Sequence, residues 1–269
     1  ARHRNPDHLK VQHPVVCSHV RCDFSKKFPL PLPWSRHVMQ RCVRLPPREA
    51  IHDKLLIVNP DCRFEKSFDL HQFIKEYNDY QLKANVGFWA PVLIDDNGNL
   101  EISFGQFPSL LEVFFRTFFF HKIFARYYYN RLSIGKPFLG NKIMSVPYPS
   151  GAFFLIDRKL FLNMGGFSSK FFAYFEESEL CLRLNKSGYI NLINPKFRIV
   201  HLRGNRKLDS LNNQFYVYSQ YKFFNSNYAF IITLFILNLI EILIRIPWNG
   251  LRVSRILLKF NLHGILNAK

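Results

Sequence analysis

"GAFFLIDRKLFLNMGGFSSKFFAYFEESELCLRLNKSGY", residues 151–189, decides how the chain is read. Its opening GAFFLID is a short apolar run of the kind buried as a strand. DRKLFLNMGG reads as a helix closed by glycines, and the stretch ending at Gly188 as a second helix, entered through aromatics and two adjacent acids. Set at about 100° per residue from Glu176, that second helix gathers Leu180, Cys181 and Leu184 on one face, with Glu177 near the middle of it. Glu176, Glu179 and Arg183 fall on the opposite side, the last two spaced for an exposed ion pair. An inward carboxylate behind FFAYF would lose hydration, which raises its pKa and makes it a better proton acceptor. Acids in the first turn also complement the helix dipole and its free N–H groups. The helix alone therefore leaves a structural and a catalytic Glu177 both open.

Outward from this block, strands are expected at LLIV from Leu55, NVGFWAPVLID at 85–95, NLEISF at 99–104, and INLI with FRIVHL near 190–202. LLIV is the kind of continuous apolar run buried in a parallel sheet. DDNGN at 95–99 is a hairpin turn signal. Helices are expected over FDLHQFIKEYNDYQL and PSLLEVFFRTFFFHKIFARYYYN. Strands alternating with helices imply an α/β layered fold.

Residues 1–53 differ in kind. They hold six of the ten histidines, seven of the fifteen prolines and no glycine. Neither apolar period runs through them, and their prolines interrupt any long element. We expect a poorly ordered segment, either a basic Pro-rich arm or the out-of-frame translation of a lost domain start. The domain proper spans 54–225, and 226–269 form a helical tail.

Lys and Arg outnumber Asp and Glu by 37 to 19 in 269 residues, an excess that suits phosphates in nucleic acid, anionic lipid or a nucleotide-linked substrate. The basic residues are scattered, and the aromatics sit in apolar runs instead of alternating with Arg and Lys, which argues against nucleic acid. The five cysteines lack metal-ligand spacing, which fits a reducing compartment and gives no disulfide framework. No apolar stretch follows the basic residues of the amino terminus, so nothing there reads as a secretory signal.

Two further residues carry candidate chemistry. Asp61 follows LLIVNP, just beyond the carboxyl end of a buried strand, where ligands bind in open α/β sheets, although Asn59, Pro60 and Asp61 read equally as an Asx turn. His201 ends FRIVHLRG and precedes Arg203 and Arg206; a lone strand histidine is more often a packed core or edge residue. One carboxylate and one imidazole are an acceptable partial ligand set for Mn²⁺ or Mg²⁺.

In their order and separation, LLIVNPDCRFE, FGQFPSLLEVFFR, the 149–189 block and INPKFRIVHLRGN resemble the family 2 glycosyltransferases, in particular the rhamnosyltransferase-like branch of bacterial surface polysaccharide and lipopolysaccharide O-antigen synthesis. The resemblance covers roughly residues 54–225. It implies a GT-A-like (Rossmann-related) layered mixed sheet, incomplete at the amino terminus, and inverting transfer of a sugar from a nucleotide-sugar to a lipid-linked saccharide acceptor. By the same resemblance Glu177 is the base. Asp61 holds the metal, with His201 a later metal ligand or a phosphate contact; Asn59, Arg203 and Arg206 contact the donor phosphates, and Ser150, Gly151, Ala152 and Glu176 line the acceptor side. The family's Glu-Asp pair here reads Glu-Glu, its Asp after Gly-Gly-Phe is Ser168, and its nucleotide-binding opening half has no counterpart in 1–53. An inactive remnant or lipid-binding protein is therefore the alternative.

The tail stretch AFIITLFILNLIEILIRI, 229–246, carries Asn238, Glu241 and Arg245, with Arg252, Arg255 and Lys259 beyond. This favours an in-plane amphipathic anchor on an anionic membrane surface, peripheral on the cytoplasmic face of the bacterial inner membrane. The aromatic stretch 113–130 either covers the acceptor cleft, rests on lipid, or packs as core.

Overall fold

All nine residues of the strand Val86–Ile94 are buried, because both faces of its sheet are covered and such a strand is apolar throughout instead of alternating. The computed structural model describes residues 15–17, 53–133, 135–171, 173–202, 211–224 and 228–266. In chain order the elements are β1 (Val15–Cys17), β2 (Lys54–Val58), β3 (Cys62–Phe64), α1 (Leu70–Gln81), β4 (Val86–Ile94), β5 (Ile102–Gly105), α2 (Leu110–Thr117), α3 (Phe120–Ile123), α4 (Ala125–Arg131), β6 (Lys136–Pro137), β7 (Met144–Val146), β8 (Tyr148–Pro149), β9 (Phe153–Asp157), α5 (Arg158–Asn163), α6 (Glu176–Lys186), β10 (Ile190–His201), α7 (Leu211–Phe223), α8 (Tyr228–Ile244) and α9 (Ile246–Leu266).

The main sheet runs β1-β2-β9-β4-β10-β3, with β7 also on β10. It is mixed: β10 is parallel to β4 and β1 to β2, while β9 is antiparallel to β2 and β4. A small sheet, β6-β5-β8, stands beside it. Phe88, Ala90, Val92 and Ile94 of β4 join a core with Leu160, Phe161, Leu180 and Leu184 from α5 and α6. Trp89 and Leu93 join the opposite core with Phe73 and Tyr77 of α1. Each fully buried side chain of this size contributes about 1.5–3 kcal/mol, so both helical layers are bound firmly to the sheet. The fold class is thus layered α/β with a mixed sheet.

Buried polar groups fix the stacking. Asn191 accepts from the Phe88 N–H at 3.0 Å and donates to the Pro147 carbonyl and Asn185 Oδ1, at 2.9 and 3.0 Å. That joins β4, β10 and α6 at one side chain. Gly87 is needed there, since a Cβ would lie 2.8 Å from Asn191 Oδ1.

Several expectations change. INLI and FRIVHL form one strand, β10, whose register slips between Asn194 and Arg198; Pro195 cannot donate to the ladder, and the bulge absorbs it. The long aromatic stretch breaks into α2, α3 and α4, at Phe124 (φ −105°, ψ 44°) between the last two and, between the first two, at Phe119, which adopts a left-handed φ of 60°. Its ring lies 6.2 Å from Trp248 and 5.2 Å from the Arg245 guanidinium, contacts that offset a backbone cost of about 1–2 kcal/mol. Of residues 1–53, Val15–Cys17 pair with Leu55–Ile57 as an edge strand that no sequence period announced. Residues 1–14 and 18–52, where disorder was expected, lie outside the described residues.

The tail also differs from a simple amphipathic helix. α8 buries Ile231, Leu234, Leu237 and Asn238, yet its outer side exposes Phe230, Ile232, Ile236 and Leu243. It is apolar on both sides. Among the described residues, no helix is long and apolar enough to cross a membrane. A kink at Gly250, φ 73°, interrupts α9.

Candidate active site

β2 delivers the chain to Asn59-Pro60-Asp61, and two backbone bonds hold the turn: Asn59 N–H donates to the Ala152 carbonyl at 2.8 Å, and Cys62 N–H to the Asn59 carbonyl at 3.0 Å. The chain then enters β3, where Cys62 sits directly opposite His201 of β10. Directly opposed residues on antiparallel strands point to the same face. Asp61 Oδ1 lies 3.4 Å from His201 Nε2, and one ligand atom each from Asp61, Cys62 and His201 falls within a mutual 4.8 Å. His201 is 5% exposed, and its Nδ1 has no hydrogen-bond partner among the described residues. A buried imidazole nitrogen left open beside a carboxylate and a thiol fits a divalent cation, which all three can ligate.

The second half of the site is the start of α6. Tyr174 and Phe175 both take left-handed φ values of 67°, which turns the helix start without a side-chain cap. Two such residues in succession cost about 1–2 kcal/mol each and persist because α7 grips the loop. Ser219 Oγ donates to the Ala173 carbonyl at 2.6 Å, and the rings of Tyr174 and Phe175 meet Tyr216 at 5.8 and 5.1 Å.

Leu180, Cys181 and Leu184 are wholly buried, as the helical phase requires, and Glu177 lies on their side of α6. Glu177 as a residue is partly exposed, whereas its Oε2 is buried and has no hydrogen-bond partner among the described residues. Loss of water raises its pKa, opposed by hydrogen bonds from its own N–H and that of Gly151. The dipole-related role of a first-turn acid is thus present alongside the desolvation. Tyr148 and Cys181 flank it: burial, and then the Glu177 charge, push both of their pKa values well up, so both stay neutral.

Ser150, Gly151 and Ala152 link the two halves. A Cβ on Gly151 would stand 3.3 Å from the Glu177 carboxyl carbon, while the Ala152 carbonyl accepts from Cys62 Sγ at 3.2 Å. Ser150 is tied to the small sheet through its N–H to the Ser103 carbonyl, 2.8 Å. With adjacent Cα atoms about 3.8 Å apart, the carboxylate lies no more than about 15 Å from Cys62 Sγ, the near edge of the Asp61 cluster. The structure therefore brings together Glu177, Gly151, Ala152, Asn59, Asp61 and His201, with Glu176 next to Glu177 in the first turn of α6. Arg203 and Arg206 lie outside the described residues.

Glu179 and Arg183 pair at 2.8 Å as spaced, yet Arg183 also donates to the Met164 and Gly166 carbonyls, so it ties α6 to the end of α5 instead of standing free in solvent. Cys62 and Tyr148 were not foreseen. Cys62 becomes a neighbour of His201 only through the pairing of β3 with β10, and Tyr148 reaches Glu177 only through β8; neither pairing leaves a local signal.

No protein-family model and no curated protein matches the chain. Among solved structures, that of GalNAc-T7 with UDP, GalNAc and Mn²⁺ aligns with a TM-score of 0.41 and 12% identity over 65% of this chain. The chain spans 36% of the length of that protein, and a likeness this distant adds no argument about chemistry.

Proposed function

We propose that the chain is an inverting glycosyltransferase of GT-A type that moves a sugar, rhamnose by the sequence resemblance, from a nucleotide-sugar to a lipid-linked saccharide. One observation carries this reading: a desolvated Glu177 carboxylate with an open oxygen packs on Gly151, whose neighbour Ala152 touches the Asp61, Cys62 and His201 cluster. In the reaction, an acceptor hydroxyl gives its proton to Glu177 as its oxygen bonds to the sugar's anomeric carbon. The bond from that carbon to the donor phosphate breaks, and the nucleoside diphosphate leaves with the electron pair. Mn²⁺ or Mg²⁺, held by Asp61 and His201 with Cys62 alongside, would supply Lewis-acid stabilisation of the leaving diphosphate. Gly151 keeps the acceptor side open, since any side chain there would crowd the carboxylate. The apolar tail and the basic surface support placement on the cytoplasmic face of a bacterial inner membrane, where lipid-linked acceptors reside.

Calorimetry with a panel of nucleoside diphosphates, with and without Mn²⁺, tests the proposal. Metal-dependent binding that is lost in Asp61→Asn and His201→Ala is the expected result. Absence of binding to any of them would overturn the enzyme reading and leave a lipid-binding remnant.

A further inference from the structure

We propose that the α3–α4 segment is a second lipid-contacting element, which joins the tail helices to form one docking face for an anionic membrane leaflet. The inference rests on the membrane placement above and extends it to a region that the tail does not include. Three observations carry it.

The first is apolar exposure at a helix pair with little to bury it. Ile123 is 71% exposed and Phe124 54%. Together with Tyr127 and Arg126 they line a shallow groove of about 510 Å³. Clustered exposed apolar and aromatic side chains of this kind mark a contact surface.

The second is continuity. Phe119, at the break before α3, has its ring tilted against that of Trp248 of α9, and Arg245 and Lys122 both lie over its ring. Trp248 is 75% exposed. The aromatic segment and the tail therefore meet at Phe119, and aromatic rings beside cations suit the headgroup boundary of a bilayer.

The third is charge. Residues 113–156 and 242–269 contain no Asp or Glu. The two acids of this helical region, Glu112 and Glu241, are drawn inward onto Arg116 and Arg245. The exposed cations Lys122, Arg126, Arg131, Arg255 and Lys259 are thus left with no acid from these segments to offset them. A surface both apolar and cationic, with no acid from its own segments, matches a leaflet rich in anionic lipid, and a neutral protein partner would use only half of it.

The test is cosedimentation of the full chain with vesicles of phosphatidylcholine alone or with about one-third phosphatidylglycerol, at low and high salt. Wild type is expected on the anionic vesicles at low salt. Ile123→Ser with Phe124→Ser should lower the partition coefficient about tenfold or more, with the melting temperature unchanged. Arg126→Gln with Arg131→Gln, both at exposed positions, should lower it about fivefold per charge and flatten the salt dependence. If both double variants bind as wild type does, the α3–α4 element is refuted, whereas the tail would stand if Trp248→Ser with Leu251→Ser still lost binding. Equal binding to neutral vesicles would refute the anionic preference. The assay needs neither donor nor acceptor, so failure of the transferase reading would show separately in the calorimetry.

Discussion

Two shielded glutamates, one in each half of the molecule, have opposite surroundings. Glu112, in the helical region, is 2% exposed, accepts the Tyr128 hydroxyl at 2.9 Å and faces Arg116, which also pairs with Glu241. Glu177, beside the sheet, accepts backbone N–H groups on its carboxylate and keeps one oxygen without a partner among the described residues. Burial raises both pKa values, and at Glu112 the Arg116 charge works against it. An acid that only holds helices together is fully partnered, because an unpaired buried charge is costly. An acid that must take a proton has to leave room for the group that brings it.

The largest break in this contrast comes from Glu177→Gln. Turnover should fall about a hundredfold to ten-thousandfold while donor affinity, read by calorimetry, stays near wild type; normal turnover would remove Glu177 from the role. Arg116→Met should do the reverse. It leaves Glu112 without its cationic partner and Glu241 with Arg245 alone, and urea unfolding should report a loss of about 3–5 kcal/mol.

Gly151→Ala sharpens the comparison on a smaller scale. The new methyl would press on the Glu177 side chain at 3.3–3.4 Å, a misplacement expected to lower turnover about tenfold to a hundredfold. Since Gly151 does not need a left-handed φ, thermal stability should hardly change.

The dependence on pH separates the roles further. A carboxyl with a raised folded-state pKa contributes stability that is fully present below its unfolded value and lost as pH rises through the folded one. Thermal melting of Glu177→Gln should therefore gain on wild type from acid to neutral pH. In wild type, the acid limb of the rate profile should lie above the ordinary glutamate range, because the base must be ionised to act. The smallest effect belongs to Arg63→Ala. Its pair with Asp96 is 62% and 55% exposed, worth about 0–1 kcal/mol, and both activity and melting should stay close to wild type.

Features set by local periodicity could be read from the chain. β2 and β4 are continuous apolar runs, Gly165 and Gly166 close α5 with φ values of 78° and 66°, and the 3.6-residue phase of α6 put Glu177 beside Leu180, Cys181 and Leu184. What depends on distant partners could not. Pro195 made β10 look like two strands because a bulge is visible only against β4. Phe119 separates α2 from α3 because its ring is held by Trp248 and Arg245, more than a hundred residues away. Cys62 is the same case within the site, since only the β3–β10 register sets it opposite His201.

The grip of Ser219 and Tyr216 on residues 173–175 has a practical corollary for anyone trimming the protein. A version cut before Leu211 would keep every strand of the sheet and every proposed ligand among the described residues. It would nevertheless release Tyr174 and Phe175 to relax towards ordinary backbone angles and carry the acid away from Gly151. Such a shortened protein should still bind metal while catalysing nothing, and under the proposed function the carboxyl-terminal helices would act as a brace for the chemistry as well as a foot on the bilayer.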